Sequence, residues 1–192
     1  MKPMVEKITN ASIAILKRDG IDGLNMRAIA GELKLRASAL YKHIREKREI
    51  YYLISEYICE KITCPENLKD PRNYLIELNK SFRKELLGIK HSASIFGRII
   101  PNSPKHMEFF NKNLAALSAM GVESTRCFFA AKIINNYVMS SVWDEEFFRA
   151  ITRGNSSGTG INYYRSHLNG INYDRNFMYG LEAVLDGITP QT

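Results

Sequence analysis

Residues 25–48 read NMRAIAGELKLRASALYKHIREKR, and their pattern predicts the structure of the first part of the chain. Four apolar residues recur in it at helical spacing and give two short helices an inner face: Ile29, Leu33, Leu40 and Ile44. Only residues 34–37 separate the two helices. Two short helices joined by so tight a turn form a helix-turn-helix, whose second helix lies in the major groove of DNA. The stretch therefore predicts a nucleic-acid-binding module.

The positive charge of the chain is concentrated around this stretch. The whole chain carries 27 Lys and Arg residues against 20 Asp and Glu residues, a formal net charge of +7. Residues 1–48 hold 11 of the basic and 5 of the acidic residues, whereas residues 49–192 hold 16 and 15. An excess confined to one small segment favours a surface that faces a polyanion such as nucleic acid. A solvated basic face or a membrane-surface role is the alternative at this stage.

The rest of the chain predicts helices only. Apolar residues recur at helical spacing in segment after segment, and no alternating strand pattern of useful length occurs. We expect an all-α fold with nine or ten helices, divided near residues 46–50. Residues 154–173 begin with a glycine- and serine-rich run without apolar side chains, so we expect a loop there.

Composition and motifs exclude several other classes of protein. The longest uncharged run has eleven residues, well short of the roughly 20 apolar residues of a membrane-spanning helix. Three cysteines argue against a disulfide framework and favour the reducing cytoplasm. Cys59 and Cys64 have no second pair at zinc spacing, and no phosphate-binding glycine loop occurs, so we expect no metal and no cofactor. The four histidines are scattered and suggest no catalytic triad, so we expect no enzyme.

A more specific signal is the order of residues along the first quarter of the chain. It consists of Ile8, Ala11, Ile15 and Leu16, then Gly20–Ala30, then Leu33, Leu35 and Ala39–Ile44, and finally Lys47, Ile50 and Leu53. In this order, residues 4–54 resemble the N-terminal domain of the tetracycline-repressor family of transcription regulators. Residues 74–145 and 177–188 are similar, less closely, to the regulatory domain of that family. The resemblance implies a helix-turn-helix DNA-binding domain over residues 1–48 and a helical effector-binding and dimerisation domain over residues 49–192.

The resemblance also implies which residues of the first domain contact DNA. They are Arg27, Arg36, Ala37, Ala39, Tyr41, Lys42, His43 and Lys47. Arg36 is the candidate for direct base recognition, since an arginine fork suits O6 and N7 of guanine. Lys34 stands where the family commonly has a glycine, and a non-glycine residue in such a left-handed turn costs about 1 kcal/mol. For each basic residue, the alternative is a solvated surface charge.

By the same resemblance, aromatic residues, methionines and amides of the middle helices line an effector pocket. The predicted lining residues are Phe82, Phe96, Met107, Phe110, Asn135, Met139 and Trp143. Apolar walls with a few polar anchors suit a small organic ligand, and the alternative for each residue is an ordinary core position. Tetracycline repressors chelate a magnesium-bound drug with a histidine that has no counterpart among residues 94–98. We therefore expect a different effector and no metal site.

These features predict a ligand-responsive transcriptional regulator, a repressor, that binds a palindromic double-stranded DNA operator and is released by a small-molecule effector. A homodimer is expected, because two helix-turn-helix units read half-sites about 34–36 Å apart. The last two long helices combine small and large apolar residues and are the predicted dimer interface. The alternative functions are a small-molecule enzyme on the same helical pocket and a non-specific nucleic-acid-binding protein.

Overall fold

The computed structural model describes residues 3–65, 68–153 and 158–189, and within these ranges the chain forms ten helices and no strand. The helices are α1 (Pro3–Gly23), α2 (Met26–Glu32), α3 (Ala37–Leu40), α4 (Lys47–Glu60), α5 (Pro71–Leu87), α6 (Ser92–Phe96), α7 (Pro104–Ala119), α8 (Ser124–Arg153), α9 (Thr159–Leu168) and α10 (Tyr173–Ile188). The all-α prediction is thus confirmed. None of these helices, over the described ranges, is both long and apolar enough to cross a bilayer.

Side-chain caps fix the starts of two helices. The Asn25 side-chain oxygen accepts a hydrogen bond from the Ala28 N–H at 3.0 Å and begins α2. Asp70 begins α5 in the same way, accepting from the Asn73 N–H at 2.9 Å. Pro71 follows at the first helical position, where its missing N–H leaves no bond unmade.

The turn between α2 and α3 passes through a left-handed residue. Lys34 has a φ of 54°, a conformation that glycine adopts most readily. Two backbone hydrogen bonds close the turn, from the Lys34 N–H to the Gly31 carbonyl at 3.0 Å and from the Leu35 N–H to the Ala30 carbonyl at 2.8 Å. The α3 helix ends at Leu40 and is shorter than the sequence predicted, because residues 41–43 continue as turns.

The α9 helix corrects the expectation of a loop over residues 154–173. Residues 159–168 are helical, whereas residues 154–157 lie outside the described residues. Leu168 is buried, and the Arg165 guanidinium donates hydrogen bonds to the Ile151 carbonyl of α8 at 3.0 and 3.2 Å. The glycines at the start of the segment predicted a loop. The contacts with α8 stabilise a helix there instead.

One apolar core runs through the chain, and α4 connects its two ends. In the N-terminal part Ile8, Leu16, Ile29 and Leu40 are fully buried. The α4 helix packs against α1 and also against α5, α6 and α7 of the C-terminal part. A displacement of α4 would therefore be transmitted to the three N-terminal helices. The division of the chain at residues 48 and 49 stays a prediction.

Candidate nucleic-acid interface and effector cavities

The α2 and α3 helices direct their apolar side chains inward and leave their polar side chains at the surface. Ile29, Leu40 and Ile44 are buried in the apolar core, where α2 packs against α1 and α3. Arg36 immediately precedes α3 in an extended conformation, and its side chain makes no capping hydrogen bond. Arg36 is exposed, and Tyr41 just after α3 is 53% exposed. This end of the molecule presents the start of α3 to its surroundings.

The structure brings the predicted DNA-contacting residues onto α2, α3 and the segment from α3 to the start of α4. Six of the eight have exposed side chains: Arg27, Arg36, Tyr41, Lys42, His43 and Lys47. Ala37 and Ala39 are half-buried, and Ala37 packs against the core. The Lys47 ammonium lies 3.4 Å from the Ile21 carbonyl, which holds it at the start of α4. The roles of all eight residues in DNA binding remain predictions.

Seven cations of this region have no carboxylate partner in the described part of the chain, whereas several lysines of the C-terminal part are paired. Within the described residues, these side chains form no ion pair: Arg27, Lys34, Arg36, Lys42, Arg45, Lys47 and Arg48. Lys80 pairs with Glu77 at 2.7 Å, and Lys105 and Lys112 both pair with Glu108 at 2.8 and 2.7 Å. A surface cation without a carboxylate partner has no ion pair to break before it binds a phosphate. We refer to these seven side chains as the cationic head.

The seven predicted effector residues are divided between the core and the surface. Phe82 and Phe96 are buried with ring centroids 5.1 Å apart, and Phe109 lies 4.6 Å from Phe82. Phe110 and Asn135 are also buried, and Met139 is half-buried. Met107 and Trp143 are exposed and lie apart from this aromatic cluster. The assignment of these residues to an effector pocket stays a prediction.

Several buried polar groups near the aromatic cluster were not found by the sequence analysis. The Asn79 side-chain N–H donates to the Asn113 side-chain oxygen at 2.9 Å, linking α5 to α7. His106 lies edge-on to the Phe96 ring, and burial lowers the pKa of His106 to about 4. Among the described residues, Asn79 Oδ1 and His106 Nδ1 have no hydrogen-bond partner, and the same holds for Oδ1 of Asn135, which the sequence analysis did name. Buried polar atoms of this kind are candidates for contact with a bound molecule.

A second feature that the sequence analysis missed is an ion-pair network centred on Arg83 of α5. The Arg83 guanidinium bonds Glu145 of α8 and, at 2.7 Å, Asp174 of α10. Glu145 also accepts from Arg149 at 2.6 Å. The Arg83 guanidinium carbon lies 4.7 Å from the centre of the Phe177 ring. The network ties three helices together where no local sequence pattern marks a contact.

A cavity of about 760 Å³ lies beside this network, between α5, the N-terminal part of α10 and residues 63–65. Leu87, Phe177 and Met178 supply apolar wall, and Arg83 and Lys84 supply positive charge. A smaller cavity of about 200 Å³ lies on the α8 side and shares Arg83 and Phe177 with the first. None of the seven predicted effector residues lines either cavity.

The α8 helix carries a row of exposed side chains that includes large apolar ones. The row consists of Phe129, Ile133, Asn136, Ser140, Trp143 and Phe147, at alternating intervals of four and three residues. We call it the α8 row. The α10 helix packs beside α8, with the Tyr137 hydroxyl donating to the Phe177 carbonyl at 2.8 Å and leaving no room for a Cβ at Gly180. Tyr179 on α10 is also exposed.

The chain is similar in sequence and in fold to several known proteins. Residues 64–158 match the family described as tetracyclin repressor-like, C-terminal domain. An HTH-type transcriptional regulator of Saccharopolyspora erythraea is 29% identical over 154 residues, which are 77% of this chain and 64% of that protein. The tetracycline repressor protein class A from transposon 1721 of Escherichia coli is 30% identical over 142 residues, 72% of this chain and 65% of that protein. The chain thus spans just under two thirds of the length of these two relatives. The crystal structure of TetR from Acinetobacter baumannii AYE superimposes with a TM-score of 0.73, 26% identity and 95% coverage of each chain.

Proposed function

Because the chain belongs to the tetracycline-repressor family, we propose that it is a ligand-responsive transcriptional repressor that binds a palindromic DNA operator as a homodimer. The observation that carries this proposal is the cationic head, whose seven exposed side chains lie from α2 to the start of α4 and form no ion pair among the described residues. Regulators of this family are generally not enzymes, and we propose no catalytic activity for this chain. Its place of action is the cytoplasm, where the DNA is.

Within the head we propose two kinds of DNA contact. Arg36 reads a base edge in the major groove, since it is exposed and lies directly before α3. Arg27, Tyr41, Lys42, His43 and Lys47 contact the DNA backbone, while Ala37 and Ala39 allow α3 to approach the groove closely. The base contact of Arg36 determines which DNA sequence is bound, and the backbone contacts determine the position of the protein on the duplex.

We propose that the dimer forms through α8 and α10. The α8 row exposes four large apolar side chains, and Phe129 alone is 68% exposed. A second copy that packed its own α8 and α10 against this surface would remove these side chains from water and form a four-helix bundle. A two-fold arrangement of this kind sets two α3 helices at a fixed separation, as a palindromic operator requires.

The effector acts, in this proposal, by shifting the population of two arrangements of the dimer. A molecule bound in the C-terminal part displaces α4, which contacts both parts of the chain. The two α3 helices then no longer match the spacing of the half-sites, and the operator is released.

Footprinting on the DNA that flanks the coding region of the protein tests this proposal. We expect protection of a palindrome and an affinity at least about 10³-fold above that for a random duplex of equal length. Equal affinity for both duplexes would favour a non-specific nucleic-acid-binding protein and contradict the proposal. Turnover of a compound bound in the C-terminal part would instead favour the alternative that the chain is a small-molecule enzyme.

A further inference from the structure

Arg83 is a buried cation with two carboxylate partners, one buried and one exposed. Its side chain is 8% exposed and pairs with Glu145, which is 5% exposed, and with Asp174, which is 86% exposed. A pair with so exposed a carboxylate is weakened by solvent and by dissolved ions. Arg83 Nε is buried and has no hydrogen-bond partner among the described residues. Arg83 can therefore exchange Asp174 for another anion while Glu145 stays in place.

The cavity of about 760 Å³ places further positive charge beside Arg83. Lys84 lines it, is exposed and forms no ion pair within the described ranges. Lys80 also lines it, but Glu77 pairs with Lys80 at 2.7 Å. Once Asp174 is displaced, an entering anion meets Lys84, which pairs with no carboxylate among the described residues, and Arg83, which keeps only Glu145 as a partner.

The remaining walls suit the apolar part of an organic molecule. Leu87, Phe177 and Met178 line the cavity, and Phe177 already stacks against the Arg83 guanidinium at 4.7 Å. The volume falls within the range of about 300–1,000 Å³ that is common for small-molecule sites. The lining chemistry thus combines an apolar surface with an anion-binding corner.

The cavity also touches the segment that follows α4. Thr63 lies in its wall, and the Thr63 N–H donates to the Ser81 hydroxyl of α5 at 2.8 Å. A molecule in the cavity therefore contacts the link between α4 and α5 as well as α10, which holds Asp174. Because α4 packs on α1, a displacement of the link after α4 is transmitted through α4 to the N-terminal helices.

We propose that this cavity binds an amphipathic organic anion, a carboxylate or sulfonate with an apolar ring system, and that this anion is the effector. Arg83 binds the anionic group in place of Asp174, with Lys84 as second cation, and the apolar part packs on Leu87, Phe177 and Met178. The role as effector rests on the proposed function. The site is different from the aromatic cluster around Phe82 and Phe96 that the sequence indicated.

The test compares an anionic probe with its neutral analogue on the full chain without DNA. The probes are 8-anilinonaphthalene-1-sulfonate and N-phenyl-1-naphthylamine, which lacks the sulfonate, and binding is followed by their fluorescence. Asp174→Asn removes the competing carboxylate and should tighten sulfonate binding about threefold, whereas Lys84→Gln should weaken it about threefold, as expected for single charges near the surface. Both residues are exposed, so both variants should fold.

Matched controls separate the cavity from a general effect of charge. Asp186 lies on the same helix and forms an exposed pair with Arg72 at 2.6 Å, and Lys90 is an exposed lysine outside the cavity lining. Asp186→Asn and Lys90→Gln should leave sulfonate binding unchanged, and no variant should alter binding of the neutral probe. If Asp174→Asn and Asp186→Asn changed sulfonate binding equally, the proposed site would be wrong. The same conclusion would follow if the variants changed binding of both probes equally.

The effector role has its own measurement. Saturating sulfonate should weaken binding of the wild-type protein to its footprinted DNA, and Asp174→Asn should need less of it. Charge-dependent probe binding without any change in DNA affinity would overturn the effector role. Failure to bind any palindromic DNA would instead overturn the proposed function, and the anion-binding site would stand.

Discussion

Replacing Glu145 by glutamine tests how much the ion pair between α5 and α8 stabilises the fold. The change keeps the size of the side chain but removes the charge opposite Arg83, and both side chains are at least nine-tenths buried. Loss of one partner from a buried pair leaves an uncompensated charge and costs about 3–5 kcal/mol. Asp174 compensates part of the Arg83 charge, and the glutamine oxygen still accepts a hydrogen bond, so we expect a loss near the lower end, about 3 kcal/mol.

Urea unfolding followed by circular dichroism, at a fixed protomer concentration, measures this loss. The control is Asp186→Asn, which breaks the exposed pair with Arg72 and should cost less than about 1 kcal/mol. A double variant, Arg83→Met with Glu145→Gln, removes both charges and should be more stable than Glu145→Gln alone. If Glu145→Gln and Asp186→Asn cost the same, the buried network does not stabilise the fold as the geometry indicates.

Three further changes test other parts of the molecule. Burial lowers the pKa of His106 from 6.5 to about 4. As the pH falls, the His106 side chain therefore binds a proton in the unfolded chain before it does so in the folded chain. We expect about 2 kcal/mol of stability to be lost between pH 7.5 and pH 5 for this reason. In urea titrations at the two pH values, His106→Phe should lose about 2 kcal/mol less of its free energy of unfolding than the wild-type chain does. An equal loss in both proteins would show that His106 is not its source. Lys34→Gly should raise the free energy of unfolding by about 0.5–1 kcal/mol, because glycine adopts a φ of 54° without strain; a lower melting temperature would contradict this. Ile133→Glu places a charge in the α8 row and should give monomers in sedimentation experiments, whereas Met107→Glu, at an equally exposed apolar residue of α7, should leave the dimer intact. Dimers in both variants would exclude the α8 row as the interface.

The N-terminal part of the fold could be predicted because its signals are local. The Asn25 cap, the short turn before α3 and the apolar spacing of Ile29, Leu33, Leu40 and Ile44 all lie within 20 residues of one another. The charge asymmetry of the first 48 residues indicated the same surface that the structure exposes. The start of α5 is likewise set by neighbouring residues, the cap Asp70 and Pro71 after it.

The C-terminal cavities could not be predicted, since they depend on contacts between residues far apart in the chain. Arg83 meets Glu145 across 62 residues and Asp174 across 91, and helical spacing gives no information on which charges will pair. Composition also failed to separate buried from exposed apolar side chains. Met107 and Trp143 were grouped with Phe82, although they lie on exposed faces of α7 and α8. The helix α9 was missed because its stability comes from α8.

Sequence-specific DNA binding by the cationic head is measured by the ratio of affinities for the footprinted palindrome and for a scrambled duplex at one salt concentration. For the wild-type chain we predict a ratio of at least about 10³. Arg36→Ala should lower this ratio by about 5- to 150-fold, because it removes a base contact of about 1–3 kcal/mol, whereas Lys47→Ala should weaken binding to both duplexes alike. A wild-type ratio near one, or a ratio that Arg36→Ala leaves unchanged, would contradict the claim that the cationic head reads a DNA sequence through α3.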